Sequence, residues 1–182
     1  TAMAINGATA HAFAHILYKS LLFMGVGAVL YTTGRSKLTE LGGLARAMPL
    51  ILILYMVGAF SISGFPLFSG FVSKSMVIYG VELSHMNAVV LLLNLAAVGT
   101  FLHTGLKLPY FTWFGPDRQL KPAPAPRGMY LGMALTAGLW VAIGVYPALL
   151  YNLLPFAVDY HPYTASHLVE TMQLLIFTGL GF

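Results

Sequence analysis

One stretch limits the possible folds more than any other: the apolar run from Met48 to Val81, 34 residues long. A bilayer core about 30 Å thick is crossed by about 20 helical residues, so the run is too long for one simple span. Its middle reads FSISGFPLFSGFVSK, from Phe60 to Lys74, with Gly64, Pro66 and Gly70 set among Ser61, Ser63, Ser69 and Ser73. Proline removes a helix donor and clashes with the preceding turn, and glycine adds backbone freedom. The expectation is a discontinuous helix, one half over about Pro49 to Ser61 and the other over about Gly70 to Gly80. Broken backbone survives at membrane depth only where protein or a water-filled cavity satisfies its polar groups. Such breaks recur at the ion sites of transporters. Lys74 lies one turn into the second half, with no other Asp, Glu, Lys or Arg between Arg46 and Glu82. An isolated lysine in that place is a functional candidate; the plainer alternative is an amine that stays charged and paired.

Composition agrees with a membrane protein. Hydrophobic residues make up 58% and charged residues 8%, where a soluble domain carries about 25% charged residues. The mean hydropathy is +0.81. The net charge of +4 therefore speaks of topology and not of nucleic-acid affinity. With no cysteine, disulfides, Cys-ligated clusters and thiol catalysis are excluded. No basic n-region or cleavage site marks a signal peptide. The chain opens on Thr1 and stops inside the apolar run Leu174 to Phe182, which reads as a piece of a longer polytopic protein.

The expected fold class is all-α: a polytopic helix bundle of about four complete spans, one of them discontinuous, plus the start of a further helix. Residues 1–182 form a single membrane domain. The first span, about Ala8 to Tyr31, carries His11, His15 and Lys19 at spacings of four. Eight residues drift only about 40°, so the three share one face over about 12 Å. Gly25 and Gly27 suit close helix packing. A lysine at mid-membrane costs about 2.5–3.5 kcal/mol. Deprotonating it at pH 7 from a pKa near 10.4 costs about 4.6 kcal/mol. The two are close enough for modest hydration or a nearby charge to switch Lys19 or Lys74 between states. Histidine needs less tuning still. The third span, about Met86 to Leu108, carries His103 and Lys107 on one face, followed by Tyr110, Phe111, Trp113 and Phe114 as an interfacial belt. His103, Lys107 and Glu82 are candidate proton inlets or outlets; snorkelling is the plainer reading of Lys107, and a solvated loop acid that of Glu82. The fourth span, about Met129 to Leu150, has no ionisable residue and reads as scaffold, with Pro147 placed to kink its end. No residue is a candidate for covalent catalysis, His161 and His167 have no metal-ligand spacing with a third group, and no metal or other cofactor is implied.

Charge predicts orientation. The loops at 32–48 and 115–128 each hold three Lys or Arg, whereas those at 82–86 and 151–167 hold none. With the broken helix counted as one crossing, both basic loops fall on one side, the cytoplasm by the positive-inside rule. The location is then the cell inner (plasma) membrane, multi-pass.

Three strings together, HAFAHILYKSLLFMGVGAVL, LGGLARAMP and SISGFPLFSGFVSK, resemble the antiporter-like proton-channel subunits. These occur in respiratory complex I, in membrane-bound hydrogenases and in Mrp-type multisubunit Na+/H+ antiporters. FLHTGLKLPYFTWFG and VDYHPYTASH look closer to the D-type member of the Mrp group. The resemblance implies the C-terminal half-channel repeat of a longer subunit, with most of the second of two inverted repeats. It implies a proton relay through His11, His15 and Lys19 to Lys74, a position where some members carry Glu. It also implies partners: other membrane subunits of an antiporter or redox complex, the lipid bilayer, protons and, in the antiporter case, Na+. A complex I or hydrogenase subunit would count with a translocase although it carries no redox centre of its own. Two other classes stay open. One is a passive assembly protein, and the other a haem-bearing electron-transfer protein with His15 and His103 as axial ligands.

Overall fold

Thr1 starts the first helix, its hydroxyl accepting from the Ala4 N–H at 3.2 Å. The helix, α1 (Ala2–Thr33), ends at Gly34, whose φ of 66° turns its N–H back onto the Leu30 carbonyl. The computed structural model describes residues 1–182. It continues with α2 (Pro49–Ser63), α3 (Ser69–Glu82), α4 (Asn87–Thr100), α5 (Arg127–Val145), α6 (Ala148–Tyr151) and α7 (Ala165–Leu180). There are no strands. α4 runs on as π-type helix through Phe101–Lys107 and Tyr110–Phe114, a continuous helix of 28 residues. Three helices are long and apolar enough to cross a membrane: α1, extended α4 and α5. The bundle is that of a multi-pass helical membrane protein.

The broken pair α2–α3 makes a fourth crossing, because both halves lie along α1 in one direction. Gly25 of α1 meets Tyr55 and Gly58 of α2 meets Leu22. Further along, Gly7 meets Met76 and Gly80 meets Ala4. Contacts thus run antiparallel from one end of α1 to the other. The face that α1 buries is a stripe of small and apolar positions, among them Ala10, Ala14, Tyr18, Leu21, Gly25 and Ala28. That three-and-four spacing is the helical repeat. Gly27 does not join the packing as expected; it looks onto open space.

At the other end of these helices the basic loops meet. Ala123 N–H donates to the Thr32 carbonyl at 2.9 Å and Ala45 N–H to the Trp113 carbonyl at 3.1 Å. Gly42 and Gly43 lie so close to Pro116 and Asp117 that no side chain fits.

Two local expectations change. Trp113 is not part of a lipid-facing belt: it is 1% exposed and packs against Tyr55 with ring centroids 4.9 Å apart. The wide π turns aim it inward, while Tyr110, Phe111 and Phe114 stay exposed. Pro147 does not kink the fourth span. α5 ends at Val145, and Pro147 precedes the short α6, as a proline with no N–H to continue the helix does. Pro109 falls between the two π segments. Leu108 N–H bonds the His103 carbonyl; in that register the Thr104 carbonyl would need an N–H from residue 109, which proline lacks. The Tyr55 hydroxyl supplies a donor at 3.5 Å.

Candidate functional site

The helix break is built from its own sequence. Gly64 N–H bonds the Ser61 carbonyl at 3.1 Å and Phe65 N–H the Phe60 carbonyl at 3.0 Å. With Gly64 at φ 84°, this is a Schellman end, and the Phe60 and Phe65 rings pack at 4.7 Å, the apolar contact that accompanies that motif. Two of the orphan carbonyls of α2 are thereby satisfied. The Ile62 carbonyl is not, and the Lys74 amine donates to it at 2.5 Å. Lys74 thus caps the negative end of one half-helix from the other half.

The start of α3 is served in return. Its N-cap, Phe68, has no capping side chain. Ser61 supplies one: its hydroxyl accepts from Gly70 N–H at 3.2 Å and pairs with the Ser69 hydroxyl at 3.0 Å. The halves come so close that a Cβ on Gly70 would fall on the Ser61 carbonyl. Between them Phe68 N–H closes a turn onto the Phe65 carbonyl at 3.3 Å. Pro66 is the second residue of that turn and Leu67 the third, at φ 73°. A positive φ there suits glycine, and for a leucine the left-handed region costs about 1–2 kcal/mol. Gly144 of α5 leaves room for the Leu67 carbonyl. Because the Leu67 side chain is 57% exposed, Leu67→Gly should raise stability by up to about 1 kcal/mol in this strained turn, measured as thermal half-life in detergent. An unchanged or shortened half-life would mean that the turn is not strained in the membrane.

Lys74 is half-buried and lines two cavities. The smaller, of about 190 Å³, lies between α1, α3 and α4 and has His11 on its wall. His11 Nδ1 is 3.3 Å from the hydroxyl of Ser73, the buried neighbour of Lys74. The His11 and His15 rings stack at 5.9 Å, and His15 meets Tyr18 edge-on at 5.3 Å. The structure thus brings His11 and Lys74 to the wall of one cavity and stacks His15 on His11. His11 faces α3, while His15 lies on the outer side of α1, exposed in this chain.

The larger cavity, of about 420 Å³, lies between α3, α4, α7 and the segment before α7. It runs from Lys74, Ser63 and Gly64 to Glu82. His103 and Lys107 line neither cavity at Lys74; they stand exposed on the π segment, towards the end of the bundle where the basic loops meet. His15 and His103 share no cavity at Lys74. Sequence reading passed over Ser73 and Ser61 as site residues. Serine beside glycine at a helix break was the available signal, but only the fold shows which backbone group each hydroxyl serves.

The fold and the site define a class: a multi-pass helical membrane protein whose broken helix carries a lysine at the break. Residues 1–102 match the family described as NADH:quinone oxidoreductase/Mrp antiporter, TM, and the chain belongs to that family. It is 30% identical over 205 residues to the A-type subunit of the Na(+)/H(+) antiporter of Bacillus subtilis, covering 98% of this chain and 26% of the relative. Two solved structures share the fold. One is the membrane-bound sulfane sulfur reductase, an archaeal respiratory membrane complex (TM-score 0.80, 25% identity, 98% of this chain and 32% of that one). The other is the Mrp complex from Dietzia sp. (TM-score 0.78, 27% identity, 100% of this chain and 21% of that one). The chain spans about a third or less of the curated relatives it matches, such as 29% of an uncharacterized protein of Mycobacterium tuberculosis. It is an antiporter-like membrane protein by family.

Proposed function

We propose that this chain is the C-terminal half-channel repeat of a proton-translocating subunit, and that it moves protons between Lys19, His15, His11 and Lys74. One observation carries the reading. The Lys74 amine rests on the free Ile62 carbonyl of the break, on the wall of the cavity that also holds His11. An amine there has an acceptor for its protonated form and a cavity that can hydrate it. It can therefore lose and regain a proton without leaving the membrane. His11, His15 and Lys19 follow at one-turn spacing along α1. Charge on one member disfavours charge on the next, which couples the proton steps.

His103 and Lys107 stand towards the basic loops and suit proton uptake from the cytoplasm. Glu82 stands at the opposite end and suits release. Loops 32–48 and 115–128 are assigned to the cytoplasmic side of a plasma membrane by their Lys and Arg. The protein works beside other membrane subunits, as the family affiliation supports. An Mrp-type cation/proton antiporter with Na+ as the counter-ion is the preferred setting. Within it, the resemblance of the later segments favours the D type, and the similarity to the B. subtilis protein favours the A type. A complex I-type or hydrogenase-type proton pump is the alternative setting, with the same relay driven by redox partners.

The relay is tested by His15→Ala and Lys19→Ala in the full-length chain within its complex. Each should lower proton uptake by proteoliposomes at least about tenfold, about 1.4 kcal/mol on the barrier, at unchanged assembly. Uptake at the wild-type rate in both variants would return the stripe to a structural role.

A further inference from the structure

We infer that His167 and Glu170 of α7 form the outlet of Lys74, taking its proton through the larger cavity to the end of the bundle where Glu82 stands. The inference rests on the proton-relay reading and adds residues outside the matched stretch 1–102.

Two helical faces meet across this cavity. From α3 come Phe71, Lys74, Ile78 and Glu82; from α7 come His167, Glu170, Thr171 and Leu174. Both sets are spaced by three and four, so each is one face of a helix. The cavity volume of about 420 Å³ has room for roughly ten waters. Its titratable groups are graded in exposure. Lys74 and His167 are half-buried, and Glu170 and Glu82 are exposed. Exposure thus rises from the pair beside the break, Lys74 and His167, to Glu170 and Glu82.

His167 is held for the task. Its ring packs on Phe71, centroids 5.0 Å apart, one turn before Lys74 on α3. Its backbone N–H donates to the Thr164 hydroxyl, the N-cap of α7, at 3.4 Å. Phe71 packs in turn on Tyr163, centroids 5.2 Å apart, whose hydroxyl donates to the Gly144 carbonyl. His161, in contrast, is a solvated neighbour, its side chain 89% exposed and 3.9 Å from Asp159. Tyr160 is a wall and not a carrier: burial, with the charge of Glu82 adding to it, pushes its phenol up. It keeps its proton at working pH.

The step balances simply. The Lys74 ammonium gives a proton to cavity water, which protonates the neutral His167 imidazole; Lys74 is left as the amine. The imidazolium then returns its proton to water beside Glu170 and Glu82, and His167 is neutral again.

The test uses the full-length chain in its membrane complex, reconstituted in proteoliposomes, with rates normalised to assembled protein. His167→Gln keeps a donor and most of the shape but cannot titrate; proton transport should fall about tenfold. His167→Ala should fall similarly and recover several-fold when imidazole is added, since the cavity opens to the outside. A structural role for the ring predicts no imidazole recovery. Thr171→Cys gives an independent arm in a segment that has no native cysteine. A membrane-impermeant, positively charged thiol reagent should block transport when added on the side opposite the basic loops. Wild-type rates in His167→Gln, or labelling of Thr171→Cys without loss of transport, would overturn the outlet. Lys74→Arg run in parallel separates the two readings. If it transports normally, the relay itself fails. If it is inactive while His167→Gln runs at full rate, the relay stands and only the outlet assignment falls.

Discussion

Lys74→Arg should leave assembly intact and proton transport abolished. The guanidinium keeps the charge and can still donate to the Ile62 carbonyl, which the lysine amine reaches at 2.5 Å. The end of α2 therefore remains capped. Guanidinium does not release a proton in the working pH range, so any turnover that requires Lys74 to become neutral stops. A hundredfold or greater loss is expected, about 2.7 kcal/mol or more on the barrier. Lys74→Glu is the counterpart. It reverses the charge and places a carboxylate against the Ile62 carbonyl, which costs stability, yet it restores a titratable group and should retain partial transport. A passive, charge-pairing lysine predicts the reverse pattern, a working Arg variant and a misassembled Glu variant. The measurement is proton uptake by proteoliposomes, with assembled protein quantified in the same sample. Full transport in Lys74→Arg would falsify the carrier assignment.

Gly70→Ala should remove the folded protein from the membrane. The new methyl would fall on the Ser61 carbonyl, a backbone atom of the facing half-helix, so no rotamer change relieves it. Separating the halves also costs the Ser61 cap on Gly70 N–H, worth about 1 kcal/mol, on top of the roughly 1–3 kcal/mol typical of overpacking. The amine of Lys74 would lose its fixed distance to Ile62. Gly27→Ala is the control, because a Cβ there meets nothing within 4 Å and a methyl suits a helix interior better than glycine does. The expected result is little assembled protein for Gly70→Ala and a normal amount for Gly27→Ala, read from membrane fractions by gel under native conditions. Equal amounts of both would mean that the two halves do not meet at Ser61.

What was legible in the sequence was whatever depends on near neighbours. Gly64 and Pro66 end a helix wherever they stand, so the break could be placed to within two residues: α2 closes at Ser63 and α3 opens at Ser69. The spacing of His11, His15 and Lys19 puts them on one stripe of any α-helix, and the absence of other charges singles out Lys74. The pattern of basic loops foretold that they share an end, and hydrogen bonds between them show it. The inward turn of Trp113 was not legible. It goes with a π segment and with a partner, Tyr55, far away in the chain. The same holds for the choice among polar residues. His103, a candidate proton inlet or outlet by its place on the third span, stands outside both cavities, while His167, read in the sequence only as a histidine without metal-ligand spacing, lines the larger one. Spacing along a helix decides which residues share a face. Only the packing of distant helices decides what that face meets. It was the tertiary structure that put α7 across from α3, and the Schellman end of α2 that left the Ile62 carbonyl for Lys74 to take.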